Sequence, residues 1–182
     1  MAQALPEHAR DKKIEVWFQD EARIGQKGRL TRIWALLGSR TPIIKDQRFK
    51  CAYIFGAVCP ASGKGAAILS PHANTDAMNQ HLKEISVHVP GDCHAAIVVD
   101  KAGWHIAGAL VVPDNITLIF LPPYSPELNG QEKIWQYMRD NFLSNRIFDD
   151  YDAILDACQS AWNALVAMPD RIKSIAAKSW AV

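Results

Sequence analysis

The apolar run Ile116–Leu121 leads directly into Pro-Pro-Tyr-Ser-Pro, with prolines at 122, 123 and 126. Proline has no N–H and a fixed φ, so strand pairing cannot continue through this segment and the chain must turn. Beyond it Leu128, Trp135, Met138 and Phe142 fall on one helical stripe, with Glu132 on the edge of that stripe. The spacing therefore predicts strand, turn and helix in succession, with a half-desolvated carboxylate at Glu132 aimed along a sheet. Two further apolar runs also deliver acids. Ile97–Val99 is closed by Asp100, and Ile14–Gln19 is closed by Asp20, which Glu21 follows. A lone helix glutamate is ordinarily a solvated residue. Its coincidence with aspartates at two strand ends is what points to a site, because hard carboxylate oxygens on a rigid frame suit Mg2+ or Mn2+.

Composition sets the outer limits. A chain of 182 residues with 49% hydrophobic and 21% charged residues matches one globular domain with a sizeable core. It contains no run of about 18 apolar residues, and residues 1–13 are polar without a leader-like apolar stretch. Cys51, Cys59, Cys93 and Cys158 form no C-x-x-C pair and read as free buried thiols. Cys93 and His94 with His105 match no common zinc spacing. The net charge of +1 does not by itself suggest nucleic acid, but its distribution is uneven. Between Arg23 and Lys50 eight basic residues (Arg23, Lys27, Arg29, Arg32, Arg40, Lys45, Arg48, Lys50) meet one acid, Asp46. Such a stripe suits a phosphate backbone; the alternative is a solvated hairpin protecting its edges with charge.

In chain order, strand patterns cover Ile14–Gln19, Leu30–Leu37, Phe49–Val58 and Ala66–Leu69. A helix follows from the cap Asn74-Thr75-Asp76 to Pro90. Gly103–Leu110 reads as a short helical segment after the Asp100 strand. Phe148 onward is helical, capped by Asp149 or Asp150, and Arg171–Trp180 forms a terminal helix. Trp104 and His105 stand close enough to Asp100 in sequence for a role in its chemistry; the alternative is a packing Trp and a His bonded to nearby backbone. The order β-β-β-α-β-α-β-α-α implies an α/β fold, a mixed five-stranded sheet flanked by helices.

Phe-Gln-Asp-Glu-Ala-Arg around Asp20, Val-Val-Asp-Lys-Ala-Gly-Trp-His around Asp100 and Leu-Pro-Pro-Tyr-Ser-Pro-Glu-Leu-Asn-Gly-Gln-Glu-Lys-Ile-Trp around Glu132 resemble the three signature blocks of the DDE transposases. The resemblance is to the insertion-sequence 630 group, related to mariner elements, and runs from Ile14 to the C-terminus. Lys101 stands where many relatives have Asn, and Gly130 where many have Pro.

The resemblance implies a ribonuclease-H-like fold over residues 14–182, with residues 1–13 an N-terminal extension. It implies Asp20, Asp100 and Glu132 as catalytic residues and as ligands of two Mg2+ or Mn2+ ions, with Glu21 and Glu127 as acids outside the triad. The implied activity is metal-dependent DNA cleavage and strand transfer at insertion-sequence ends, with a TA target. Arg23, Arg29, Arg32, Arg40, Lys101 and His105 are the expected DNA contacts. Element ends and target DNA are the expected partners, with a homodimer on DNA, and no membrane is involved. The expected location is the bacterial cytoplasm, at the nucleoid when DNA is bound. Relatives carry helix-turn-helix modules upstream, and the 19 residues before Asp20 are too few for one. The expectation is therefore an upstream DNA-binding protein, joined by frameshifting or acting as a pair. The alternatives are an inactive or domesticated DNA-binding remnant and a cellular ribonuclease-H-like nuclease.

Overall fold

The structure, a computed structural model, describes residues 5–28, 34–39, 42, 46–123 and 125–180. Its centre is a sheet of β1 (Lys13–Gly25), β2 (Cys51–Cys59), β3 (Lys64–Ser70), β4 (Cys93–Val99) and β5 (Ile116–Phe120), in spatial order β3-β2-β1-β4-β5. β1, β2 and β3 pair antiparallel, whereas β4 runs parallel to both β1 and β5. The sheet is mixed and five-stranded, as the order of patterns implies. Every residue of β4 is buried: α1, Trp104 and Leu110 cover the face of Ala95, Ile97 and Val99, and Val98 on the other face packs with Phe18, Leu121 and Leu128.

The helices are α1 (Thr75–His88), α2 (Gln131–Met138), α3 (Tyr151–Val166) and α4 (Pro169–Ala176). Asn74 caps α1 by accepting from Ala77 N at 2.9 Å, and Asp150 caps α3 by accepting from Ala153 N at 2.8 Å. Strand alternation sorts the core into two layers. On one face Met78, Leu82 and Ile85 of α1 pack on Trp17, Phe55 and Ile97. On the other, Ile134, Trp135 and Met138 of α2 and Ile154, Cys158 and Leu165 of α3 pack on Ala22, Ile24 and Ile54. Asp20 therefore belongs to the α2 face and Glu21 to the α1 face.

Four sequence expectations are corrected. Asp20 does not end its strand: β1 continues to Gly25, because pairing with β2 runs on through Gly25↔Cys51 after pairing with β4 stops at Phe18↔Val98. Gly103–Leu110 is a single tight turn at Gly103–His105 followed by irregular chain. The Leu30–Leu37 strand is not seen in residues 34–37, and its remainder lies outside the described residues. The terminal helix spans Pro169–Ala176, starting at the proline because Pro is favourable at the first helical position.

At Gly56 the sheet and the helix layer approach closely. It pairs with Asp20 across β1 and β2, and a Cβ there would lie 2.5 Å from Trp135 Cη2 and 2.9 Å from both Gln131 Nε2 and Trp162 Cζ3. Gly56→Ala is expected to cost about 1–3 kcal/mol through overpacking. Because the Trp135 ring would have to move, the substitution should also loosen Asp20. Chemical denaturation checks the first effect.

Candidate active site

The register sets the site. Phe18 lies beside Val98 in the parallel pair, so two residues further on Asp20 and Asp100 come side by side where that pairing ends. Opposite them the prolines end β5, and a tight turn at Pro126–Leu128 leads into α2. Asn129 anchors this turn to β1: its amide donates to Gln19 O at 2.9 Å and its Oδ1 accepts from Gln131 N at 3.0 Å. Gly130 lets the start of α2 sit against β1 and α4, since a Cβ there would lie 2.6 Å from Ala176 O and 2.8 Å from Phe18 Cδ2. Glu132, in the first turn of α2, thus looks over the ends of the strands.

Asp20, Asp100 and Glu132 line one cleft of about 520 Å3, together with Lys101, Asn129 and the proline turn. Glu132 is exposed, where the stripe argument expected it half desolvated, because the first turn of α2 opens onto the cleft. Among the described residues, no three His, Cys, Asp or Glu side chains are drawn together tightly enough to ligate one ion. The three carboxylates share a cleft without closing on a common point.

Each aspartate is held by its neighbours. Trp135 Nε1 donates to Asp20 Oδ2 at 3.1 Å. Asp100 Oδ1 accepts from Ala102 N at 2.9 Å and from His105 Nδ1 at 2.8 Å, which leaves Oδ2 to the cleft. His105 is buried, and its Nε2 meets Glu21 Oε1 at 2.9 Å, an oxygen that also accepts from Trp104 Nε1 at 2.7 Å. A proton on both ring nitrogens serves both carboxylates. Burial opposes that charge, but the hydrogen bond and charge of Glu21 and the charge of Asp100 outweigh it, so the His105 pKa is raised. Burial, reinforced by the charges of Glu21, Glu132 and Asp100, pushes the Asp20 carboxyl from 3.8 up to about 7.

The expected DNA contacts divide. Lys101 is exposed on the cleft, and Arg23 is exposed in a neighbouring hollow. Arg29, Arg32 and Arg40 lie outside the described residues. His105, another expected contact, is buried, with one ring nitrogen against Asp100 and the other against Glu21. Glu127 is exposed on the proline turn and does not line the cleft. Sequence reasoning missed the parts of Glu21 and Trp135. The acidic pair at Asp20-Glu21 and the Trp three residues after Glu132 were the visible signals.

Residues 15–155 match the model of the DDE superfamily endonucleases, well over half of the chain. The chain belongs to this family. This DDE endonuclease chain is also 58% identical over 130 residues to the uncharacterised protein y4pE/y4sA of Sinorhizobium fredii, spanning 71% of this chain and 96% of that one. Its fold is shared with solved Mos1 structures. The Mos1 mariner paired-end complex with Mn matches 90% of this chain and 56% of that chain at 16% identity and a TM-score of 0.58. The Mos1 strand transfer complex matches 90% and 55% at 18% identity and a TM-score of 0.57. The chain thus spans about half the length of the Mos1 chains it matches, and the mixed sheet with its flanking helices is the ribonuclease-H-like fold expected from the sequence.

His105 is expected to act as a positioning residue for Asp100. Supporting groups of this kind typically contribute about 10- to 100-fold to metal affinity or activity. His105→Ala should therefore weaken Mn2+ binding by a factor in that range, read by titration with the paramagnetic ion. Unchanged Mn2+ affinity in a folded variant would reduce His105 to packing.

Proposed function

We propose that this DDE endonuclease chain is the catalytic domain of a DNA transposase, cutting phosphodiester bonds at insertion-sequence ends and joining the freed strand to target DNA. The observation that carries this reading is the single cleft lined by Asp20, Asp100 and Glu132, with the two aspartates brought level by the β1–β4 register. The donor set fits a hard divalent cation. All three side chains offer carboxylate oxygens, and Asp100 keeps Oδ2 turned to the cleft. These residues would hold Mg2+ or Mn2+, two ions in this reading. When bound, the ions lower the cost of charge on the attacking and leaving oxygens of an in-line displacement.

The chain's own residues supply the rest. Trp135 and the Glu21–His105 pair fix the aspartates, the proline turn and Asn129 fix the start of α2, and Lys101 offers a cation to the strand lying in the cleft. The Mos1 complexes are solved with Mn and with Mg, and one contains a left transposon end, which supports a divalent cation and DNA here. A homodimer on DNA, a separate module that recognises the ends, a TA target and action at the bacterial nucleoid belong to the same reading. No helix among the described residues is long and apolar enough to cross a membrane.

The test compares Mg2+-dependent cleavage of a duplex carrying the element end with cleavage of an RNA–DNA hybrid. Cutting of the DNA end supports the transposase. Cutting of the hybrid alone would replace it with a cellular nuclease, and cutting of neither by the folded chain would favour the binding remnant.

A further inference from the structure

On the far side of Glu132 from the catalytic cleft lies a second hollow of about 400 Å3, lined by Arg23 and Lys27 from the end of β1 and by Arg139 and Ser144 beyond α2. Its charge is one-sided: three cations face it, and Glu132, shared with the catalytic cleft, is its acid. Among the described residues, none of the three cations forms an ion pair. Lys27 is steadied from the side, with Nζ 4.0 Å from the centre of the Phe49 ring, a contact that leaves its N–H donors available. Ser144 Oγ is a buried polar atom with no hydrogen-bond partner, which is unusual enough to call for one.

The backbone is also shaped here. After Met138 the helix widens into a π-turn at Arg139–Leu143, closed by Ser144 N donating to Arg139 O at 2.8 Å, and such turns recur at functional sites. Arg139 follows Glu132 by seven residues, close to two full turns, so both project from the same side of the helix about 10 Å apart.

We propose that this hollow is a phosphate subsite for the DNA strand, gripping a backbone phosphodiester that flanks the one at Glu132. The inference rests on the reading that DNA lies in the catalytic cleft. A phosphodiester is the occupant that matches three cations without an ion pair among the described residues and an unsatisfied hydroxyl, and the shared Glu132 wall makes the hollow continuous with the path of the cut strand. Guanidinium groups supply paired donors to phosphate oxygens, and Lys27 a point charge.

Two measurements on the full chain test it. The first, without metal, is the salt dependence of binding to a random-sequence duplex. Lys27→Gln with Arg139→Gln should reduce the slope of log affinity against log salt by about 0.9 for each lost contact and weaken binding about tenfold at physiological salt. Lys83→Gln, exposed on α1 and outside both hollows, should keep the wild-type slope. If the double variant does not fold, each single substitution should lower the slope by about 0.9. The second walks a neutral methylphosphonate along the strand on either side of a mapped Mg2+-dependent cut. Wild type should lose cleavage at one flanking position, and the Arg139→Gln variant should lose that sensitivity. A wild-type slope in folded variants, or cleavage indifferent to every flanking methylphosphonate, overturns the subsite. Millimolar inorganic phosphate stabilising the chain while the slope stays unchanged assigns the hollow to a free anion and also overturns it. Failure of the wild-type chain to bind duplex at all would instead defeat the proposed function.

Discussion

Asp100→Asn should leave the fold intact and lower Mg2+-dependent DNA cleavage by about 10³-fold or more, given that changes to mere supporting groups already cost about 10- to 100-fold. The structure explains both halves. Asp100 Oδ1 accepts from Ala102 N and His105 Nδ1, and the carbonyl oxygen of asparagine can accept both bonds. The amide nitrogen then occupies the position of Oδ2, the oxygen left to the cleft, and turns an anionic donor to a cation into a neutral group bearing hydrogens. DNA affinity should persist, because the change removes a negative charge from a surface that meets phosphate. Asp20→Asn and Glu132→Gln should fail similarly. Glu127→Gln should cleave within a few-fold of wild type, since Glu127 is exposed outside the cleft. Equal losses at Glu127 and Glu132 would mean that the helix acid is misassigned.

The second large effect concerns Asp20, pH and metal together. Its carboxyl is pushed from 3.8 up to about 7 by burial and by the charges of Glu21, Glu132 and Asp100. The folded state therefore prefers the protonated acid, whereas the unfolded chain ionises near pH 4. The resulting stability is fully present below the unfolded pKa and is lost as pH rises through about 7. His105, also raised, acts in the same direction near neutrality. His81, buried and lowered to about 4, opposes it below pH 6.5. The difference between wild type and Asp20→Asn isolates the carboxyl. Without divalent metal, wild type should lose thermal stability relative to the variant as pH rises, on the order of 1 kcal/mol per unit below about pH 7. Mn2+ must displace the proton, so its affinity should improve about tenfold per unit up to about pH 7 and then level off. Calorimetry at pH 5 to 8, with and without Mn2+, reads both trends. A wild-type curve parallel to that of Asp20→Asn would show that Asp20 ionises normally, without the effect of half-burial among like charges.

These expectations depend on features that differ in how visible they are in the chain itself. The three acids, the proline turn and most strands are legible locally. Apolar runs bounded by Gly, Pro and Asp report strands wherever a buried strand ends at a turn, and Pro122, Pro123 and Pro126 stop β5 by removing its donors and restricting φ. The helical stripe through Trp135 and Met138 correctly placed α2 against the sheet.

The rest was settled by pairing between distant segments, for which a single sequence carries little local signal. How far β1 runs past Asp20 is determined by its partner β2, some thirty residues later, and not by its own residue preferences. Glu21 reads as a bystander because it adjoins Asp20, yet strand alternation turns it to the opposite face, where Trp104 and His105 arrive from the β4 turn. The exposure of Glu132 follows from where Asn129 and Gly130 dock the first turn of α2 on β1. The ligand candidates are thus written in short blocks. Their anchoring by Trp135 and by the Glu21–His105 pair exists only once residues about 80 to 115 positions apart are packed together, because a hydrogen bond between side chains depends on distance and direction that no local pattern encodes.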